Sequence, residues 1–270
     1  MNKNKLFNEI YQKFNLERRE VELIVCHVLK INSAKLIIYD ESISESQHKS
    51  ILKFCQQRHD GKPFAYITGI KDFWSLELKV NQHTLIPRPE TETLVELALE
   101  KTHKDFNGCI LDLGTGSGAI ALSLAKERPK AKITAVDFSS ECIAIAEFNK
   151  NKHAIENADF ILGNWFDNLE NNKYDIIVSN PPYVEENDEH LKDLSYEPMT
   201  ALTAKNKGLA DLFHIITNAQ SYMKKGGWLI LEHGYNQHER VQQHLLANHY
   251  KNVKSYKDLA GTPRITTAEF

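Results

Sequence analysis

The strongest constraint on the fold is an alternation of strand-like and helix-like segments that begins at Gly108. Such alternation is typical of a parallel sheet that carries helices on both faces. Apolar runs predict five strands, at 109–113, 132–136, 159–162, 174–179 and 228–232, and two further short strands near Val253 and Ile265. Helical spacing predicts helices over 119–127, 140–151 and about 209–223, and another after the fifth strand. The sequence therefore predicts a doubly wound α/β domain.

The residues before this domain predict a smaller helical structure and a linker. Apolar residues recur at helical spacing from Leu6 to Phe14 and from Glu17 to Lys30, and Ser33 and Ser44 stand at positions suited to helix caps. Asp60-Gly61-Lys62-Pro63 ends the last of these helices. The following aromatic and apolar residues indicate a β-hairpin. We predict a helical bundle over 1–63, a hairpin linker over 64–88 and the main domain over 89–270.

Composition favours a globular protein without an extended charged surface. The 270 residues are 41% hydrophobic and 26% charged, and the net charge of −3 gives no sign of broad nucleic-acid or membrane attraction. The four cysteines are scattered without C-x-x-C spacing, and there is no H-E-x-x-H, so no disulfide framework or metal site is predicted. Neither a signal peptide nor a membrane-spanning run is present. We therefore expect a cytoplasmic monomer that binds no metal.

A glycine-rich turn, Gly114-Thr115-Gly116-Ser117-Gly118, follows the first predicted strand. Gly114, Gly116 and Ala119 also fit a dinucleotide-binding pattern, and Asp137 follows at the distance suited to ribose hydroxyls, so a nicotinamide enzyme is one interpretation. Asp112, just before the turn, argues against it, because a carboxylate suits an ammonium group better than a pyrophosphate. The pattern D-x-G-x-G-x-G is the loop of S-adenosylmethionine-dependent methyltransferases. On that interpretation Asp137 binds the ribose, and Asn164 and Trp165 meet the adenine.

The segment Asn180-Pro181-Pro182-Tyr183 follows the fourth predicted strand, at the sheet edge where ligands collect. The Asn180 side-chain oxygen and the Pro181 carbonyl can each accept one N–H of a planar amide or aromatic amine. That would aim the nitrogen lone pair at an electrophile. The prolines fix the backbone, and Tyr183 offers a flat face for stacking. The structural alternative is an ordinary proline-rich turn after a strand.

Together these motifs resemble those of the HemK/PrmC family, the peptide chain release factor N5-glutamine methyltransferases, over nearly the whole chain. Asn-Pro-Pro-Tyr is shared with enzymes that methylate amino groups of DNA and RNA, whereas the stretch around Arg88 singles out this family. A role for Arg88, which stands between two prolines, is left open. The matching segments are Pro63-x-x-Tyr66-Ile67-x-Gly69, Leu85-Ile-Pro-Arg-Pro-Glu-Thr-Glu92, Asp112-Leu-Gly-Thr-Gly-Ser-Gly118, Asn180-Pro-Pro-Tyr183, Tyr196-Glu-Pro198 and Glu232-His-Gly234.

The resemblance implies a Rossmann-like class I methyltransferase domain with a seven-stranded sheet, preceded by a helical domain that docks the substrate protein. It implies methylation of the glutamine amide in the Gly-Gly-Gln motif of class-1 release factors, with S-adenosylmethionine consumed and S-adenosylhomocysteine produced. Asn164 stands where the family often has Asp. By position, the implied cofactor-binding residues are Gly114, Thr115, Gly116, Ser117, Gly118, Asp137, Trp165 and Asn180. The implied substrate-binding residues are Asn180, Pro181, Pro182 and Tyr183, of which Asn180, Pro181 and Tyr183 are catalytic.

Two other functions are compatible with parts of the pattern. A nucleic-acid amino methyltransferase acting on adenine N6 or guanine N2 would use the same Asn-Pro-Pro-Tyr corner, but it needs a way to grip a flipped base. The chain offers only a small helical bundle and a hairpin for that purpose, so we expect no direct contact with nucleic acid. A non-catalytic cofactor-binding protein is the third possibility, and the intact Asn180-Pro-Pro-Tyr183 segment argues against it.

Overall fold

The computed structural model describes residues 1–170, 173–192 and 194–270, which form two compact units, Met1–Gly69 and Ile70–Phe270. The first unit consists of five helices around one apolar core. Its core side chains, among them Leu6, Ile10 and Ile24, come from the helical repeats that the sequence shows. The helices are α1 (Lys3–Lys13), α2 (Arg18–Leu29), α3 (Ser33–Ile37), α4 (Glu45–His59) and α5 (Phe64–Thr68).

The helix ends in this unit agree with the sequence in one case and correct it in another. Ser44 caps α4 and forms a reciprocal capping box with Gln47, as its position predicts. The cap of α3 is Asn32, whose side chain accepts the Lys35 N–H, so the prediction that Ser33 is the cap was wrong by one residue. Both residue types suit the position, and the local chain path decides between them.

The predicted hairpin linker over 64–88 is not a single element. Residues 64–68 form α5, with Pro63 before its first turn and Gly69 closing it at a φ of +73°. Proline and glycine at these two places favour a short helix, and they outweigh the strand preference of the aromatic residues between them. The hairpin itself is shorter than predicted and consists of strands β1 (Ile70–Phe73) and β2 (Leu76–Lys79), paired antiparallel.

The hairpin belongs to the second unit by its packing. Phe73, Leu76 and Leu78 are buried in a core that they share with the sheet. The Trp74 backbone N–H donates to Glu92 at 2.7 Å, and its indole N–H donates to Glu127 at 2.9 Å. The second unit therefore begins near residue 70, whereas the sequence predicted residue 89 for the start of the main domain.

The second unit contains a seven-stranded sheet, which confirms the predicted fold class. The strand order is β10-β11-β9-β6-β3-β4-β5, and five neighbouring strands run parallel. Strand β11 runs antiparallel to both of its neighbours, β9 and β10, so the sheet is mixed. The strands are β3 (Cys109–Leu113), β4 (Lys132–Asp137), β5 (Ala158–Leu162), β6 (Tyr174–Ser179), β9 (Met223–Glu232), β10 (Lys251–Lys257) and β11 (Pro263–Glu269), and the small pair outside the sheet is β7 (Val184–Glu185) with β8 (Thr203–Ala204).

Helices cover both faces of the sheet, as the alternation predicts. Along β3, Ile110 packs on one side and Leu111 on the other, so each strand contributes to two cores. Helices α6 and α7 complete one core, and α11 and α12 complete the other. The helices of this unit are α6 (Glu92–Glu100), α7 (Ala119–Glu127), α8 (Ser140–Lys152), α9 (Met199–Leu202), α10 (Lys205–Gly208), α11 (Ala210–Ala219) and α12 (His238–Ala247).

The fifth large strand differs from its prediction. The helix expected over 209–223 ends at Ala219, and β9 begins at Met223 rather than at the two glycines. Gly227 lies inside the strand, and the position favours glycine because a Cβ there would lie 2.9 Å from the Lys224 carbonyl oxygen and 3.0 Å from that of Asp175. The glycines thus permit an irregularity within the strand. Among the described helices, none is long and apolar enough to cross a membrane.

Candidate active site

The predicted functional segments meet at one edge of the sheet. The register pairs Leu113 of β3 with Val136 of β4 and with Ser179 of β6, so these parallel strands end side by side. The turns that follow them surround a cavity of about 270 Å³. Its lining comprises Leu85, Gly114, Gly116, Val136, Asp137, Phe138, Cys142, Gly163, Asn164, Trp165, Asn180, Pro182, Thr200, Ala201 and Asp211.

The backbone of the glycine turn adopts left-handed conformations that glycine accommodates more easily than other residues. Gly114, Gly116 and Gly118 all have positive φ, and Gly118 is the N-cap of α7. A Cβ at Gly118 would lie 3.0 Å from Leu122 and 3.2 Å from Ala146, so this glycine also permits close helix packing. Gly114 and Gly116 line the cavity. Thr115 and Ser117 are buried within the turn, and the Thr115 hydroxyl donates to Asp112 at 2.6 Å.

Asp137 ends β4 and lines the cavity with its carboxylate held from two sides. One oxygen accepts the Gly116 N–H at 2.8 Å, and the other accepts the Ser139 N–H at 3.0 Å. Burial raises the pKa of this carboxyl, while those backbone N–H groups lower it. The geometry therefore links the glycine turn to the acid that follows it 21 residues later.

Asp112 lies fully buried at the end of β3. One of its oxygens accepts the Thr115 hydroxyl and the Ala121 N–H, and the other has no hydrogen-bond partner among the described residues. Burial raises its pKa to about 7. An unpartnered carboxylate oxygen in such a place suits a positively charged ligand group and repels a phosphate.

Trp165 follows β5 in a left-handed backbone conformation with a φ of +52°. A Cβ at Gly114 would lie 3.3 Å from the Trp165 ring, so the indole and the glycine turn approach closely. Asp211, which sequence reasoning missed, lines the same cavity, and burial raises its pKa while His214 and Trp165 act in the opposite direction. Its position in the first turn of α11 did not indicate a functional role in the sequence, because acidic residues are common in the first turns of helices.

Within the Asn-Pro-Pro-Tyr segment, Asn180 and Pro182 line the cavity, whereas Pro181 is buried. The Asn180 amide nitrogen donates to the Thr91 hydroxyl oxygen at 3.2 Å. Tyr183 is held at both ends: its hydroxyl donates to Glu232 at 3.1 Å, and its carbonyl accepts the Gln237 amide at 2.9 Å. Burial raises the pKa of the Tyr183 hydroxyl. The segment is therefore anchored from several distant parts of the chain.

Arg88, whose role the sequence left open, forms an ion pair with Glu197 at 2.5 Å. The other oxygen of this buried carboxylate accepts the Ile86 N–H at 3.0 Å. Two of the matching sequence segments, residues 85–92 and 196–198, thus contact each other beside the cavity. Each segment was visible in the sequence, but their pairing depends on contacts across 109 positions.

A group of three or more His, Cys, Asp or Glu side chains placed to hold a metal ion does not occur among the described residues.

A family model for the methyltransferase domain matches residues 104–267, and a model for the PrmC N-terminal domain matches residues 7–69. Among solved structures, the T. thermophilus 16S rRNA N2 G1207 methyltransferase in complex with AdoMet and guanosine matches with a TM-score of 0.54 and 18% identity. It covers 74% of this chain and 49% of that chain, and it shows the fold alone.

Curated relatives match almost the whole chain. The release factor glutamine methyltransferase of Coxiella burnetii (strain RSA 493 / Nine Mile phase I) is 45% identical over 252 residues, which cover 93% of this chain and 91% of that protein. The protein of the same name from Escherichia coli (strain K12) is 40% identical over 257 residues, covering 94% and 92%. On this identity and coverage, together with the two family models, the chain belongs to the family of release factor glutamine methyltransferases.

Proposed function

We propose that this protein transfers a methyl group from S-adenosylmethionine to the side-chain amide nitrogen of the glutamine in the Gly-Gly-Gln motif of a class-1 peptide chain release factor. The observation that carries the proposal is the Asn180 amide, which lines one cavity with Asp137 and the glycine turn while Thr91 holds its nitrogen. Membership of the family supports the same substrate.

The residues around the cavity fit the proposed cofactor. Asp137 lines the cavity and offers carboxylate oxygens for the ribose hydroxyls. Asp112 is not among the lining residues, but it is buried next to the glycine turn, and its unpartnered oxygen suits the ammonium of the amino acid end. Trp165 offers a flat indole, and Asn164 offers an amide oxygen that can accept from an adenine amino group. Gly114 to Gly118 leave room for close approach of the backbone. When bound, S-adenosylmethionine supplies a methyl group on a positively charged sulfur, and S-adenosylhomocysteine remains after transfer.

The Asn-Pro-Pro-Tyr corner would orient the acceptor. A glutamine amide has two N–H groups, which the Asn180 side-chain oxygen and the Pro181 carbonyl would accept. That arrangement withdraws the nitrogen lone pair from its delocalisation with the carbonyl and aims it at the methyl group. Tyr183 and Pro182 would bound the planar group. The acceptor nitrogen exchanges one N–H for one N–CH3, and the proton leaves to solvent.

The release factor is both the substrate and the protein partner in this proposal. The helical unit Met1–Gly69 carries no part of the cavity, and we propose that it docks the body of the release factor. The enzyme then works where release factors work, in the cytoplasm, as a monomer that contacts neither nucleic acid nor membrane directly.

The test is methylation of a purified release factor with S-adenosylmethionine, followed by mass spectrometry of the Gly-Gly-Gln peptide. We expect one added methyl group on the glutamine, and none when that glutamine is replaced. Asn180→Ala should lose about a hundredfold or more in turnover and remain folded. The control, Asn151→Ala, alters an exposed asparagine on α8 and should keep full activity.

Two outcomes would overturn the proposal. One is a methyl group that persists after the glutamine is replaced. The other is methylation of DNA or RNA but not of the release factor, which would move the protein to the nucleic-acid amino methyltransferases.

A further inference from the structure

Residues 83–91, which we call the rim segment, are tied at both ends to residues that line the cavity. At one end the His83 carbonyl accepts the Cys142 thiol at 3.1 Å. At the other end the Thr91 hydroxyl oxygen accepts the Asn180 amide N–H at 3.2 Å. Cys142 and Asn180 both line the cavity, so the rim segment borders it between these two contacts.

A second segment, residues 194–202, borders the same cavity, and we call it the strap segment. It contributes Thr200 and Ala201 to the lining, whereas the rim segment contributes Leu85. The two segments lie far apart in the sequence, so their relative position depends on the contacts between them. The width of the cavity at this side therefore depends on those contacts as well.

Glu197 of the strap segment makes two such contacts with the rim segment. One of its carboxylate oxygens accepts from the Arg88 guanidinium at 2.5 Å, and the other accepts the Ile86 N–H at 3.0 Å. Only 5% of Glu197 is exposed, so its two oxygens are largely withdrawn from water and depend on these donors. The contacts join residues that are 109 and 111 positions apart.

Prolines restrict the backbone on both sides of this ion pair. Pro89 follows Arg88, and Pro198 follows Glu197. A following proline disfavours helical backbone, and Arg88 is extended, with a φ of −95° and a ψ of 142°. The backbone therefore presents the two side chains with few alternative conformations to lose when the pair forms.

We propose that Arg88 and Glu197 are positioning residues, whose ion pair fixes the strap segment against the rim segment and so keeps the cavity at the width its ligands need. The inference rests on the proposed function, because that function places the cofactor and the acceptor amide in this cavity. Neither side chain lines the cavity itself. Arg88 acts through Leu85 of its own segment, and Glu197 acts through Thr200 and Ala201.

The test measures two quantities in the full-length protein: the Kd of S-adenosylhomocysteine by calorimetry, and kcat/KM for methylation of a purified release factor. Arg88→Met removes the cation and keeps a long side chain. Glu197→Gln removes the charge and replaces one of the two acceptor oxygens with an NH2 group, which cannot accept from either donor. We expect each change to raise the Kd about fivefold or more and to lower kcat/KM about tenfold or more.

The double variant Arg88→Met/Glu197→Gln tests whether the two residues act as one unit. We expect its Kd and kcat/KM to be no worse than those of the more impaired single variant, because both changes break the same pair. The double variant also leaves no unpaired charge in the protein interior, so it is the safer of the three for folding.

Lys224→Met is the matched control. Lys224 forms an ion pair with Asp175 at 2.8 Å, and Asp175 also accepts the Cys109 N–H at 2.7 Å, so this acid likewise receives a cation and a backbone N–H from distant parts of the chain. Cys109 and Asp175 lie at the starts of β3 and β6, whereas the cavity lies where these strands end. We expect a lower Tm at most, with an unchanged Kd and kcat/KM.

Wild-type Kd and kcat/KM in Arg88→Met and Glu197→Gln, even with a lower Tm, would overturn the inference and assign the pair a stabilising role alone. Losses that multiply in the double variant would also overturn it. If a single variant does not fold, the double variant decides, and wild-type binding and activity there would overturn the inference. Methylation of DNA or RNA but not of the release factor would instead refute the proposed function and leave the comparison of Kd values intact, so the two failures are distinguishable.

Discussion

Asp112 and Asp137 lie beside the same glycine turn and differ in how their charge is supported. Asp137 accepts two backbone N–H groups and lies at the cavity. Asp112 is fully buried, and one of its oxygens has no partner among the described residues. Its pKa of about 7 in the folded protein lies above the ordinary 3.8, so the stability it contributes is complete below 3.8 and is lost as pH rises through about 7. A cationic ligand group beside Asp112 would lower its pKa and favour the ionised carboxylate.

We predict that S-adenosylmethionine binding near pH 6 to 7 releases up to about one proton from Asp112, because the ligand ammonium lowers its pKa toward the ordinary value. Calorimetry in two buffers with different ionisation enthalpies measures this release. Asp112→Asn should abolish the buffer dependence. S-adenosylhomocysteine should release the proton as well, whereas adenosine, which has the ribose but lacks the ammonium, should not. Equal release with adenosine would contradict the assignment of Asp112 to the amino acid end.

At the scale of elements, α10 adopts an unusual backbone that supports the Asn-Pro-Pro-Tyr corner. Asn206, Lys207 and Gly208 have positive φ in succession. The Gln237 amide donates to the carbonyls of both Lys207 and Tyr183, at 3.1 and 2.9 Å. A Cβ at Gly208 would lie 1.9 Å from the Tyr183 carbonyl oxygen. Two non-glycine left-handed residues are strained, and such strain persists only where surrounding contacts hold it.

We therefore expect Gly208→Ala to lower the free energy of unfolding by about 3 kcal/mol or more and to reduce methylation, since the clash adds to the backbone strain. The matched control is Gly261→Ala, where φ is +82° and a Cβ would meet nothing within 4 Å. That change carries only the conformational cost, about 1 kcal/mol. Thermal and denaturant unfolding measure both. Similar losses in the two variants would show that the contact with Tyr183 is unimportant.

The bounds of the helices and strands show how much of the fold the sequence predicts. The bounds of β3, α7 and β6 were predicted to the residue, because each is an apolar run with a clear stop after it: Gly114 after β3, Arg128 after α7 and Asn180-Pro181 after β6. Helix α5 and the start of β9 were not, because glycines next to them have two possible roles and packing chooses between them. The partners of Asn180 and Tyr183 also escaped prediction, since Thr91 and Glu232 lie 89 and 49 positions away.

For the whole molecule, the proposed division of labour places chemistry in Ile70–Phe270 and docking in Met1–Gly69. Ile37 and Ile38 in the helical unit are 77% and 79% exposed. Neighbouring exposed isoleucines of this kind suit contact with another protein. The cavity residues lie entirely within the second unit, so the two tasks can be separated by experiment.

We predict that Ile37→Ser/Ile38→Ser lowers kcat/KM for an intact release factor about tenfold and leaves a short Gly-Gly-Gln peptide unaffected. Removal of residues 1–69 should have the same selectivity with a larger effect, while S-adenosylmethionine affinity is retained. Steady-state methylation of both substrates measures the difference. Leu246→Ser, at an exposed apolar position on α12, serves as the control. Equal losses on factor and peptide would assign the helical unit a purely structural role.

Asn149 of α8 joins the hairpin to the glycine turn in a way that bears on how this family can diverge. Its carboxamide accepts the Lys79 N–H at 2.7 Å and donates to the carbonyls of Lys79 and Ser117 at 3.0 and 2.9 Å. All three contacts are to backbone atoms, so the side chains at 79 and 117 are not needed for them. This connection therefore sets no requirement on the side chains at 79 and 117, whereas position 149 has few alternatives to asparagine. Among relatives, position 149 should vary less than position 79.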